Sequence, residues 1–245
     1  MSWFRPEYAL SVGLAVAIAL FFPVAKHLRG DDRKSYYVLQ TITLLGAVLG
    51  AKLSVLLGDY GWPLVPITDW HTVLLSGRSV TGALILGFLA AEEAKPLLGY
   101  EIPPNDRFAT LLPFTFAIGR VGCLATGCCR GIAWHGPWAV TYSDGIPRHP
   151  TQAYELLFQL IVGLSFIVLL RRGLFFGRLF SVYLIAYGGF RFGIEFLRET
   201  PKTFGGLSAY QGLCFVMIAL GAAFLIKRTF WPSEAWKRFV PLSAA

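Results

Sequence analysis

Long apolar runs separated by short polar connections cover most of the chain. They span Tyr8–Lys26, Tyr37–Leu57, Ser79–Leu98, Phe108–Gly122, Gln152–Leu170, Leu179–Leu197 and Ser208–Lys227. Most are about long enough to cross a hydrocarbon core of roughly 30 Å as α-helix. The pattern predicts an all-α, polytopic membrane protein with seven transmembrane helices. It forms one integral domain over residues 1–245. The fourth run is short, so a tilted or partly inserted helix is expected there. The first run is followed by Lys26, Arg29, Arg33 and Lys34 and lacks an A-x-A site, the pattern of a retained anchor. Gly58–Arg78 and Arg130–His149 are the long connections; the second is expected to form a small cap or a mobile loop. Trp231–Val240 is expected to anchor in the membrane interface.

Composition agrees. The 245 residues are 55% hydrophobic and 15% charged, against about 25% charged in soluble domains. A net charge of +8 raises the question of nucleic acid. The basic residues answer it, because they alternate between connections. One set holds Lys26, Arg29, Arg33, Lys34, Lys95, Arg107, Arg171, Arg172, Arg178, Lys227, Arg228, Lys237 and Arg238. The other set is sparser: Arg5, Arg78, Arg130, Arg148, Arg198 and Lys202. The richer side is read as cytoplasmic, which puts the N-terminus outside and the C-terminus inside.

That orientation gathers the polar residues of the runs at one end. Lys52 falls in the outer half of its helix, and Arg120 at the outer end of its own. Tyr187, Arg191 and Glu195 are spaced four apart on one helix face. Gln152, Tyr154 and Glu155 open the fifth run just after Arg148, His149 and Pro150. Two readings stand. The charges form a structural ion-pair network, or Arg120 and Arg191 form an anion site in the outer leaflet, where the available anion is a phospholipid headgroup. Lys52 serves such a site or snorkels to the surface. Glu92, Glu93 and Lys95 lie at the opposite end and are expected to reach water. His27, His71 and His135 sit in connections and carry less weight than His149.

Phe116–Gly131 contains Arg120 and then Cys123, Cys128 and Cys129. One reading makes them metal ligands with His135 or His149, although C-x4-C-C is an unusual spacing for zinc. A disulfide of Cys123 with Cys128 or Cys129 is a second reading. A reactive thiolate beside Arg120, through Cys123 or Cys128, is a third. Cys214, alone in an apolar run, is expected to be inert packing.

Together these residues resemble the prolipoprotein diacylglyceryl transferases, enzymes of the bacterial cytoplasmic (inner) membrane. Gly50-Ala51-Lys52-Leu53 is similar to the family's GAR-L stretch, with lysine for arginine. Gly119-Arg120-x-Gly122 with Gly127…Gly131 is similar to its signature. Pro147-Arg148-His149-Pro150-Thr151-Gln152-x-Tyr154-Glu155 is similar to its R-H-P-S-Q-L-Y-E. Tyr187-x-x-Phe190-Arg191-x-x-x-Glu195-Phe196-x-Arg198-Glu199 is similar to its Y-G-x-F-R-x-x-x-E-F-x-R-E.

The resemblance implies transfer of diacylglyceryl from phosphatidylglycerol to the lipobox cysteine of a prolipoprotein signal peptide, with release of glycerol phosphate. It implies no metal or organic cofactor. Arg120 and Arg191 would hold the phosphate, and Tyr187 would bind the headgroup. Glu195 would orient Arg191 or assist a proton. Lys52, Gln152, Tyr154 and Glu155 complete the substrate-binding set.

The sequence departs from the family in two places. The signature asparagine and glutamate fall on Cys123 and Cys128, and the family histidine aligns near Thr81. The proton acceptor is therefore open between His149, Glu195 and a loop thiolate. A relative with another acceptor, or a non-catalytic lipid-binding or thiol redox protein, remains the alternative reading.

Overall fold

The computed structural model describes residues 31–59, 79–100, 106–202 and 205–230. The first predicted span, the connection with Trp62 and Trp70, His27, His71 and the C-terminal Trp231–Val240 lie outside these. Among the described residues there are six α-helices and one two-stranded sheet. The helices are α1 (Asp31–Asp59), α2 (Val80–Leu97), α3 (Asp106–Thr126), α4 (Thr151–Arg171), α5 (Leu179–Ile194) and α6 (Ala209–Phe230). The strands are β1 (Val140–Thr141) and β2 (Pro147–Arg148), between α3 and α4.

The predicted runs from Tyr37 onward coincide with these helices. Among the described residues four segments are long and apolar enough to cross a membrane: Lys34–Gly58, Phe108–Thr126, Thr151–Arg171 and Ala209–Phe230. The fourth predicted run is not short. Its helix, α3, has 21 residues, because Asp106 starts it earlier and Cys123 to Thr126 extend it beyond Gly122. The sixth run is helical only to Ile194 and then tightens into a 3₁₀ turn, Glu195–Leu197. The chain is a polytopic membrane protein. Its outward faces fit hydrocarbon: Leu45, Val48 and Leu49 on α1 and Leu157, Ile161 and Leu164 on α4 are exposed.

Lipid gives helices little hydrophobic reason to associate, so close backbone packing matters more. Gly46, Gly50 and Ser54 repeat every fourth residue along α1 and face α2, Gly46 against Leu86 and Ala90, Gly50 and Ser54 against Gly82. A Cβ on Gly50 would lie 2.1 Å from the Gly82 carbonyl oxygen, and one on Gly82 would lie 2.2 Å from that of Gly50. Only glycine permits this crossing. A core of Leu84, Phe88, Ala109, Phe166, Leu179, Tyr183, Leu184 and Met217 joins α2 to α6. Cys214 is fully buried there, as expected of inert packing.

One end of the bundle corrects an expectation. Glu92 and Lys95 do not simply reach water. Glu92 Oε1 lies 2.5 Å from Lys95 Nζ and 2.6 Å from Nη2 of the buried Arg228. Arg228 Nη1 also donates to the Gly177 carbonyl at 3.2 Å, and the Gly177 N–H donates to Asp106. A charge on a helix end in low dielectric favours a partner over a long reach to solvent. Glu93 is exposed, as expected.

The segment between α3 and α4 is a built cap. Tyr142, Ser143, Asp144 and Gly145 turn β1 into β2, with Gly145 at φ 74° and its N–H bonded to the Tyr142 carbonyl at 2.9 Å. The Gly131 N–H donates to the His149 carbonyl at 2.9 Å, and the Ile132 N–H donates to the Leu197 carbonyl at 2.8 Å. These bonds stitch the cap to the 3₁₀ turn after α5.

Candidate active site

The end of the bundle beneath this cap collects the C-terminal ends of α3 and α5 and the N-terminal ends of α4 and α6. Antiparallel neighbours bring these together. Arg120 on α3 places Nη2 2.7 Å from Glu155 Oε1 on α4. Tyr187 on α5 donates its hydroxyl to the same oxygen at 2.7 Å. Glu155 is within electrostatic reach of Arg191 as well. Glu155, Tyr187 and Arg191 are buried, so each interaction acts in a low-dielectric setting.

A second carboxylate closes the far side. Glu195 is fully buried. Its Oε1 accepts from Thr200 Oγ1 at 2.5 Å and Ser208 Oγ at 3.3 Å. Its backbone carbonyl accepts from Lys202 Nζ at 2.7 Å. Its Oε2 lies 2.9 Å from Arg191 Nη1 and 3.7 Å from Arg198 Nε. Neither approach has hydrogen-bond alignment, so Arg191 Nη1 and Arg198 Nε are buried donors with no hydrogen-bond partner among the described residues. Such donors need an explanation. Both donors face Glu195 Oε2, which itself has no aligned hydrogen bond, so charge rather than hydrogen-bond geometry holds them together.

Gln152 and Tyr154 serve the cap. The Gln152 amide donates to the Cys128 carbonyl and accepts from Tyr142 OH at 2.9 Å. Tyr154 OH lies 3.1 Å from His149 Nδ1, and the His149 ring stacks on Trp134 with centroids 4.2 Å apart. Lys52 sits half-buried on α1, one residue past Ala51, whose carbonyl accepts the Ser79 N–H at 3.3 Å. Thr81, near which the family histidine is expected to align, is buried.

The three cysteines come together. Cys123 is buried on the last turn of α3, 3.7 Å from Arg120 Nη1. Gly127, at φ 65°, reverses the chain so that Cys128 and Cys129 fold back on it. Hydrogen bonding from the Cys123 and Cys128 thiols pulls the Cys129 thiol well below the usual range against burial, with help from Arg198 and Arg120.

Some site residues carry no role in the sequence reading. Thr200 and Ser208 hold Glu195, and neither has a pattern of its own. Asp144 binds Arg130 at 3.0 Å and Arg148 at 3.2 Å, and Arg148 Nη1 also donates to Glu199. The Asp144-Gly145 pair is a recognised hairpin signal and could have marked the turn. Burial opposes ionisation of Asp144. The Ile146 N–H and the two guanidinium groups outweigh it and hold the carboxyl below its ordinary range.

Fold and site define a polytopic helical membrane protein with a buried arginine–carboxylate site at one end of its bundle. The sequence pattern described as prolipoprotein diacylglyceryl transferase matches residues 6–227, and the chain belongs to that family. It is 29% identical over 251 residues to a phosphatidylglycerol–prolipoprotein diacylglyceryl transferase of Bordetella bronchiseptica, covering 95% of this chain and 92% of the relative. A protein of the same name from Polynucleobacter asymbioticus is 36% identical over 199 residues, covering 76% and 74%. One from Campylobacter jejuni is 32% identical over 238 residues, covering 88% and 84%.

Proposed function

We propose that this chain transfers diacylglyceryl from phosphatidylglycerol to the lipobox cysteine of a prolipoprotein. In that reaction the thiol sulfur forms a thioether to the glyceryl carbon, and the bond from that carbon to the phosphate oxygen breaks. Glycerol phosphate leaves with the electron pair, and the thiol proton passes to a base. The observation that carries the reading is two arginines set around one buried carboxylate: Arg120 bonded to Glu155, and the buried Arg191 within reach of Glu155 and paired with Glu195. Two forked cations suit a phosphodiester and stabilise charge on the departing phosphate.

Glu155 holds Arg120 in place, and Tyr187 serves the headgroup by fixing that carboxylate. Glu195 positions Arg191; engaged by two hydroxyls, it suits that role better than proton transfer. His149, fixed by Trp134 and Tyr154, takes the thiol proton in this reading. Gln152 and Tyr154 shape the acceptor's entry through the cap, and Lys52 lines the donor side. The reading keeps seven spans, the N-terminus outside, the C-terminus inside and a single domain. It places the site toward the extracytoplasmic leaflet of a bacterial cytoplasmic membrane.

The test uses purified protein in detergent with phosphatidylglycerol and a lipobox peptide, following glycerol phosphate release and peptide mass. The expected result is release with a diacylglyceryl mass gain, lost in Arg120→Ala. Release without peptide modification points to a relative using another acceptor. Thr81 near the histidine position and cysteines at two signature positions favour that second reading. No release, beside a working family enzyme, overturns the prolipoprotein reading and turns the conclusion to a divergent relative or a non-catalytic protein.

A further inference from the structure

Three thiols meet at one point, and the proposed transferase chemistry needs none of them to do so. The Sγ atoms of Cys123, Cys128 and Cys129 all lie within 4.8 Å of one another. Around a metal with M–S bonds of about 2.3 Å, three sulfurs in a plane stand about 4 Å apart. Small side-chain rotations therefore complete a trigonal site.

The backbone is built for this approach. Cys129 adopts φ 58°, one of two positive values at non-glycine residues among those described. An L-residue held there is strained, and such strain collects at functional positions. Two side chains of α4 hold the turn: Thr151 Oγ1 donates to the Cys129 carbonyl at 2.6 Å, and Gln152 to the Cys128 carbonyl. Thr126 Oγ1 lies 3.3 Å from Cys128 Sγ, and Cys128 Sγ lies 3.8 Å from the Cys123 carbonyl.

Ligand type and number select the ion. Three thiolates are soft ligands, which favour Cu(I) and zinc over hard cations. Zinc in a closed site takes four ligands, and no fourth histidine, cysteine or carboxylate joins the group among the described residues. Charge agrees. Arg120 lies 3.7 Å from Cys123, and Arg198 is bridged to Gly131, two residues beyond Cys129. Two guanidinium groups repel a dication more than a monocation, and they balance the net charge of −2 that three thiolates leave on a monovalent ion.

We propose that Cys123, Cys128 and Cys129 form a three-thiolate site for a soft monovalent metal ion, Cu(I). Binding releases the protons of those thiols that are not already ionised and changes no oxidation state. The cluster borders the phosphate-holding Arg120, 3.7 Å from Cys123, but metal binding requires no turnover, so it is tested independently of the transferase reading.

The test is a competition for Cu(I), with the full chain in detergent under anaerobic, reducing conditions. Cu(I) is supplied as its bicinchoninate complex after thiol titration of the same sample. Wild-type protein is expected to show all four cysteines free and to withdraw one Cu(I) per chain, with a new ultraviolet thiolate-to-copper band. Cys128→Ser and Cys129→Ser are each expected to weaken binding by at least about tenfold. Cys214→Ser, remote in α6, is expected to bind as wild type does. Retention of all copper by the chelator overturns the proposal. So does equal withdrawal by the triple variant Cys123→Ser/Cys128→Ser/Cys129→Ser. Two thiols missing from the titration until a stronger reductant is used would assign the cluster to a disulfide instead.

Discussion

Arg120 and Glu155 meet across 35 residues of sequence, with Nη2 2.7 Å from Oε1. Tyr187 donates to the same oxygen, so one buried carboxylate fixes groups from two other helices. Removing Arg120 both deletes a phosphate contact and leaves Glu155 uncompensated. Arg120→Ala is expected to cut initial glycerol phosphate release by ~10²-fold or more. Arg120→Lys keeps the charge without the fork and is expected to fall between the two. Release by Arg120→Ala at the wild-type rate would remove Arg120 from the reaction.

The α1–α2 crossing makes a stability prediction. Gly50→Ala forces a methyl against the Gly82 carbonyl, while a Cβ on Gly189 meets nothing within 4 Å. Gly50→Ala is expected to cost at least about 1–3 kcal/mol and to lower the detergent melting temperature. Gly189→Ala is expected to leave it nearly unchanged. Equal melting of the two variants would contradict the close crossing.

The helices were legible in the sequence because an apolar run has few alternatives to a buried or lipid-facing helix. Their ends were less so: nothing in Cys123 to Thr126 signals continued helix, and Glu195 looks like the next turn of α5. The charged site residues were legible as a set at one end, since orientation alone collects Arg120, Glu155, Arg191 and Glu195. Their pairing was not. Whether Arg120 binds Glu155 or Glu195 depends on which helices touch, and hydropathy does not encode that. The same blindness misplaced Glu92, whose partner Arg228 lies 136 residues away.

That pair yields a contrast. Glu92 is shared between Lys95 and Arg228. Glu92→Leu leaves two cations facing each other, whereas Arg228→Met leaves Glu92 with Lys95. Breaking a buried pair from one side costs on the order of 3–5 kcal/mol, and Glu92→Leu is expected to reach that range while Arg228→Met costs less. Thermal melts of the two variants decide the order.

The cap has a pH limit. The carboxyl of Asp144 is held below its ordinary value, so the folded cap binds protons less readily than the unfolded chain. Its contribution is present above the unfolded pKa of about 3.9. It is lost as pH falls through the lower folded value. Hydrogen exchange at the Ile146 amide, which donates to Asp144 Oδ1 at 3.2 Å, is the readout. After correction for intrinsic rates, its protection is expected to drop across that acid window, and Asp144→Asn is expected to show no such step. A step of equal size in Asp144→Asn would assign the transition to another group.

His149 separates chemistry from architecture. Trp134 covers one face of its ring, and Tyr154 OH meets Nδ1, an arrangement that fixes an imidazole for proton transfer. His149→Gln keeps a polar side chain of similar reach but cannot take the thiol proton at neutral pH. A general base contributes ~10²- to 10⁴-fold, so kcat is expected to fall by about that factor with the KM for phosphatidylglycerol unchanged. Trp134→Ala loosens the ring without removing it and is expected to give a smaller loss. Should His149→Gln turn over as wild type does while its cap exchanges faster, the ring would serve only to fasten Trp134 and Tyr154. The thiol would then lose its proton to another group.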